Sequence, residues 1–104
     1  MGQLPQRTVT IANGAQASNE FILPKDGAWL VTILAPSTLP ETVTLRRAEA
    51  SGGTFRTHQD GGFDVIVAAG KSVQVPLIGG GAYHLYASSA TGGARAFTVD
   101  IAML

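Results

Sequence analysis

Gly27-Ala28-Trp29-Leu30-Val31-Thr32-Ile33-Leu34-Ala35-Pro36 is the stretch on which the reading of this chain turns. Between its glycine and its proline, Trp29, Val31 and Ile33 fall on one alternating face and Leu30 and Leu34 on the other. A run of this length, apolar on both faces and closed by proline, reads as a central strand of a sheet. Trp29 is then expected in the core and not on a ligand platform.

Working outward, the same period of two returns along the chain. Val9 and Ile11 alternate with Thr8 and Thr10, and Val43 and Leu45 alternate with Thr42, Thr44 and Arg46. Phe63, Val65 and Val67 share a face, as do Val73, Val75 and Leu77; so do Tyr83, Leu85 and Ala87, and Phe97, Val99, Ile101 and Met103. Glu20–Leu23 and Thr54–His58 are shorter candidates. Between these runs lie turn signals: Asn13-Gly14, Lys25-Asp26-Gly27, Asp60-Gly61-Gly62, Gly70, Gly79-Gly80-Gly81 and Thr91-Gly92-Gly93. Pro76 favours an edge position for its strand. No stretch has room for an amphipathic helix. The expectation is a single all-β domain, an antiparallel sandwich of jelly-roll type with eight or nine short strands over residues 7–104. Met1–Gln6 is read as an N-terminal arm that orders on binding a neighbour.

Composition narrows the function. Charged residues make up 13% of the 104, about half the share of an ordinary soluble domain, which is roughly 25%. Seven basic and seven acidic residues cancel, so little repulsion keeps copies apart. Such a surface is expected to be covered by other protein. The basic excess that phosphate contacts demand is missing, so no nucleic-acid partner is expected. No apolar run approaches the ~20 residues that span a bilayer, so no membrane partner is expected either. The absence of cysteine removes a disulfide framework and suits a reducing compartment. Met1-Gly2-Gln3-Leu4-Pro5-Gln6 has neither a basic n-region nor an apolar h-region, so a secretory leader is not expected.

Several residues could carry chemistry. His58, Asp60 and Asp64 are close in sequence, but Asp60 sits where a turn favours aspartate for its own backbone bonding, and the turn reading outweighs a metal site. Ser, His and Asp occur without a G-x-S-x-G elbow, which speaks against a hydrolase. Gly79–Gly81 precedes a strand and not a helix, so it reads as a flexible hairpin loop and not a phosphate cradle. No enzyme activity and no cofactor are expected. The candidate interaction surface is His84, Tyr86, Arg46, Arg47, Leu4, Met103 and Leu104. His84, Tyr86 and Ser88 share a face opposite Tyr83 and Leu85, either as an exposed row or as a face half-covered by a loop. Arg46 and Arg47 point to opposite faces, with edge protection as their commoner role. The apolar end Ile101–Leu104 calls for cover by its own sheet or by a partner.

From about Thr8 to Ala102 the order of features resembles small structural proteins of tailed bacteriophages, the β-sandwich or jelly-roll cement (decoration) proteins on the outside of capsids. The stretches that carry the likeness are Gly27–Thr38, Val43-Thr44-Leu45, Ser51-Gly52-Gly53-Thr54-Phe55, Gly70–Leu77, Tyr83–Ser88 and Arg95–Ala102. The resemblance implies a virion protein on the capsid exterior, made in the host cytoplasm, with the major capsid protein as partner and no catalytic residues. Unguarded edges and the apolar C-terminus imply a homo-oligomer, dimer or trimer. The alternatives are a carbohydrate-binding or host-attachment module using Tyr86, His84 and Tyr83, or a tail or neck component of the same virion.

Overall fold

Trp29, Val31 and Ile33 do point into a common core, and the strand that carries them lies inside a sheet. The structure is a computed structural model and describes residues 4–104. Its strands, in chain order, are β1 (Arg7–Ile11), β2 (Phe21–Ile22), β3 (Ala28–Leu34), β4 (Val43–Ala48), β5 (Arg56–Thr57), β6 (Gln59–Asp60), β7 (Phe63–Asp64), β8 (Ile66–Val67), β9 (Ser72–Ile78), β10 (Ala82–Ala87) and β11 (Arg95–Met103).

One sheet runs β1-β11-β3-β9 and the other β2-β10-β4-β5, with β8 also on β4; every pairing is antiparallel. If β5 and β8 are counted as one strand, eight strands form two four-stranded layers in the order of a jelly roll, successive strands changing layer except at the step from β4 to β5. The inward residues are those the alternation picks out: Val9 and Ile11, Val43 and Leu45, Val75 and Leu77, Tyr83 and Leu85, Phe97, Val99 and Ile101. Pro76 stands on the edge strand β9, opposite Leu30.

β5 and β8 belong together because of Leu45. His58 donates its N–H to the Leu45 carbonyl at 2.9 Å, and the Leu45 N–H donates to the Val65 carbonyl at 3.1 Å. Both groups of one β4 residue are thus satisfied from either end of a gap. The six residues of the gap, 59–64, leave the sheet as a hairpin in which Gln59 pairs with Asp64 and Asp60 with Phe63. Gly61 and Gly62 both have positive φ, the requirement of a two-residue type I′ turn. This corrects the reading of Phe63–Val67 as one strand with Phe63, Val65 and Val67 on a common face. Val65 and Val67 are buried, but Phe63 rides on the extruded hairpin and is 77% exposed.

The first strand of the second layer is longer than β2 alone. Ser18 N–H donates to Leu85, Ala87 N–H donates to Gln16, and Leu85 N–H donates to the Ser18 hydroxyl at 2.9 Å. Thr91 locks the same corner, its hydroxyl donating to the Ala12 carbonyl at 2.8 Å. At the start of β11, Arg95 meets Glu41 through two nitrogens at 3.0 and 3.1 Å, and the guanidinium holds that carboxyl below its ordinary range. From Leu4 the N-terminal segment lies along β11: Leu4 donates to Ile101 and packs against the core, and Gln6 reaches Asp100. Met1–Gln3, the rest of the expected arm, lie outside the described residues.

The Gly79–Gly81 loop is packed where flexibility was expected. Gly79 donates to Gly27, and a Cβ on Gly79 would run into the Pro24 carbonyl. Gly92 has open space around it. Gly79→Ala should therefore cost about 1–3 kcal/mol through overpacking, or roughly 5–15 °C in Tm for a domain of this size. Gly92→Ala should leave Tm within a degree or two in the same thermal melts.

Candidate interaction surfaces

β10 alternates Tyr83 and Leu85 inward with His84 and Tyr86 outward, so the outer face of the second sheet carries an imidazole beside a phenol. The loop 49–55 decides what becomes of them. Glu20 holds that loop, accepting from the Ser51 hydroxyl at 2.8 Å and from the Gly52 N–H at 3.2 Å. Thus tethered, the loop lays Phe55 flat on His84, with ring centroids 3.8 Å apart and planes 10° off parallel. The Tyr86 ring centroid is 6.1 Å from that of His84, and the Arg46 guanidinium sits 4.0 Å over the Tyr86 ring. His84 ends up 7% exposed. The half-covered face is what forms, and not an open row of rings; only Ser88 of the three is exposed.

Arg47 points the other way, as the alternation requires. Its Nε donates to the Tyr83 hydroxyl at 3.1 Å, and that hydroxyl donates to the Ile78 carbonyl. Gly81 leaves the room for it, since a Cβ there would meet the guanidinium. Neither arginine guards an edge: β4 is flanked by β10 on one side and by β5 and β8 on the other. The segments that cover that side are two residues each, too short to stand out as strands.

His84 Nε2 is buried with no hydrogen-bond partner. Burial and, next, the positive Arg46 push its pKa below the ordinary 6.5, with Glu20 pulling weakly the other way. His58 is shifted in the same direction, by burial and then by Arg47, against Asp60. Both imidazoles are neutral at neutral pH. His58, Asp60 and Asp64 do not converge; the Asp64 carboxylate accepts from Gln59 at 2.9 Å. Among the described residues no three metal-ligating side chains come together, and no helix is long and apolar enough to cross a membrane.

A second surface lies on the outer face of the first sheet; of its residues the sequence singles out Leu104 alone as an interaction candidate. With Trp29, Val31 and Ile33 inward, Ala28 and Leu30 point out. Leu104 donates its N–H to Ala28, and Ala28 pairs with Ile78 on the other side. In the next outward row Ala102, Leu30 and Pro76 stand abreast. No side chain in these two rows carries a charge. Asp100, Thr32 and Gln74 follow. The C-terminus is thus tied by its backbone into its own sheet while Met103 and Leu104 stay 55% and 65% exposed.

No protein-family model matches the chain, and no curated protein matches it. Solved structures do. A subunit of the Bacillus endospore appendages, a family of disulfide-linked pili, aligns over 100% of this chain and 91% of its own, at TM-score 0.52 and 18% identity. The Yersinia pseudotuberculosis-derived mitogen aligns over 100% and 88%, at TM-score 0.49 and 12% identity. The appendage likeness is one of fold, all-β and sandwich-like; neither neighbour is a phage cement protein.

The imidazole shifts give a signed pH dependence. Below pH 6.5 the unfolded chain takes up protons that the folded His84 and His58 resist, so the unfolded state binds more protons and stability falls as pH falls. Tm should drop steadily between pH 7 and pH 5. His84→Phe keeps a stacking ring and removes one proton site, so its melts should show a visibly shallower drop; a slope identical to wild type contradicts the buried neutral imidazole.

Proposed function

We propose that this protein is a non-enzymatic structural component of a bacteriophage particle, a cement protein that binds the outer capsid surface and stabilises the shell. Its partner in this reading is the major capsid protein, and it acts as a homo-oligomer. The observation that carries the structural part is the pair of uncharged cross-strand rows, Leu104-Ala28-Ile78 and Ala102-Leu30-Pro76. They present apolar surface on a jelly roll with few charges to oppose contact. The phage particle itself is inferred from the resemblance of the sequence.

Size decides the mechanism. With strands about 4.8 Å apart and about 3.3 Å of rise per residue, these rows cover on the order of 100–200 Å². A stable standard interface takes about 800 Å² from each partner. One such contact is weak, so attachment has to come from many copies, each bridging neighbouring subunits on a repeating lattice. The carbohydrate-platform alternative loses support: Phe55 covers His84, Arg46 lies on Tyr86, and Tyr83 is buried.

Quantitative mass spectrometry of purified particles from the source tests the reading. A copy number at a simple fraction of the major shell protein is expected; a few copies per particle would move the protein to the tail or neck, and complete absence would end the virion reading. Leu30→Lys combined with Ala102→Lys should lower particle occupancy at least tenfold while Tm stays within a few degrees of wild type.

A further inference from the structure

Three of the large apolar side chains left most open to solvent, Phe63, Ile66 and Ile78, are 77%, 53% and 72% exposed and border one groove. It runs between the edge strand β9 and the extruded β6–β7 hairpin. In one pocket Val73, Gln74 and Val75 face Asp60, Phe63 and Asp64; in a second, which shares Asp60 with the first, Pro76 and Ile78 face Arg47, His58 and Gln59.

The wall formed by β9 is an open sheet edge. Lys71 and Gly79 bond across to Ala35 and Gly27, so odd-numbered residues of this strand turn their peptide groups toward β3. The even-numbered ones turn theirs out. Of these, Pro76 has no N–H, and the Ile78 carbonyl is taken by the Tyr83 hydroxyl. Ser72 and Gln74 are left as a short run of outward N–H and C=O groups beside apolar side chains. That is the equipment for adding a strand: backbone bonds for affinity and apolar pockets for alternate side chains.

Charge chooses the occupant. Asp60 and Asp64 stand on the opposite wall at the end lined by Phe63 and Ile66, where no cation lines the groove. Arg47 lies at the Ile78 end, its Nε donating to the Tyr83 hydroxyl. Among the described residues neither aspartate joins an ion pair, the pair formed being Glu41 with Arg95. A second copy docking β9 to β9 about a twofold axis would bring these carboxylates toward their own like. An extended basic segment would neutralise them.

We propose that the groove between β9 and the β6–β7 hairpin binds an extended peptide segment of a different protein, apolar at alternate positions and carrying at least one Lys or Arg. The segment adds to β9 at Ser72 and Gln74, sets apolar side chains against Phe63 and Ile66, and places its cation by Asp60 and Asp64. This deepens the structural reading above, with the segment supplied by the assembly partner, and it rests on that reading for the partner's identity alone.

The test pans the immobilised full-length protein with a randomised heptapeptide display library. Gln74→Pro removes one outward N–H without touching the β3 ladder, and Phe63→Ser alters an exposed side chain, so both variants should melt with wild type. Enriched peptides should alternate apolar residues with Lys or Arg. A synthesised one should shift the amide resonances of Ser72, Gln74 and Phe63–Ile66, and each variant should weaken it at least tenfold. No enrichment, acidic peptides, or binding that both variants retain would overturn the proposal. A concentration-dependent dimer abolished by Gln74→Pro would overturn it in favour of a second copy. Absence of the protein from particles would sink the capsid reading and leave a positive peptide result standing; presence on particles with no enrichment would sink the groove alone.

Discussion

Everything in this molecule hangs on the last strand finding the middle of the first sheet. β11 pairs with β1 on one side and β3 on the other, so β1 has no place in the sheet, and β3 has only β9 beside it, until the C-terminal residues arrive. Its inward side chains Phe97, Val99 and Ile101 are all fully buried. At roughly 1.5–3 kcal/mol for each such side chain, they contribute about 5–9 kcal/mol, as much as the whole net stability of a typical domain, about 5–15 kcal/mol. Closing contacts between the two ends of the chain also makes this a slow-folding topology.

Once closed, the sandwich tolerates an interruption that would break a smaller sheet. Leu45 keeps both of its backbone bonds across the gap between His58 and Val65, and the six extruded residues cost the core nothing but Phe63. The extrusion has a geometric consequence. It puts apolar and acidic side chains alongside β9, an edge strand of the first sheet. A frame held at its centre by β11 can thus present two apolar outer rows and an open groove without either being needed for folding.

Much of this was legible in the sequence, and the failures have definite causes. Strand positions and inward faces followed from the period of two, because one face of nearly every strand is buried. Pro76 marked its edge through the N–H it lacks. The path of Phe63–Val67 was not legible, since Phe63, Val65 and Val67 alternate identically in a sheet or out of it. The signal that could have found the hairpin was Gly61-Gly62, whose tight turn obliges Asp60 to pair with Phe63. The parity of His84 was readable and its cover was not, because Glu20 directs Phe55 from far along the chain. Arg46 and Arg47 were placed on opposite faces correctly. Their edge role failed because β5 and β8 are too short for a pattern to show. The apolar outer rows of the first sheet were hidden because Ala28 and Leu30, Pro76 and Ile78, and Ala102 and Leu104 come from three distant segments that only the register brings abreast.

The molecule is a rigid frame centred on β11 that carries an independent hairpin beside an unpaired edge. Native-state hydrogen exchange on the isolated protein tests it directly. Amides of β3, β10 and β11 should exchange together, through global opening only, while those of 59–64 and of Ser72 and Gln74 exchange orders of magnitude faster. A hairpin or a Gln74 amide protected as strongly as β11, or a β11 that exchanges ahead of β3, would contradict the account.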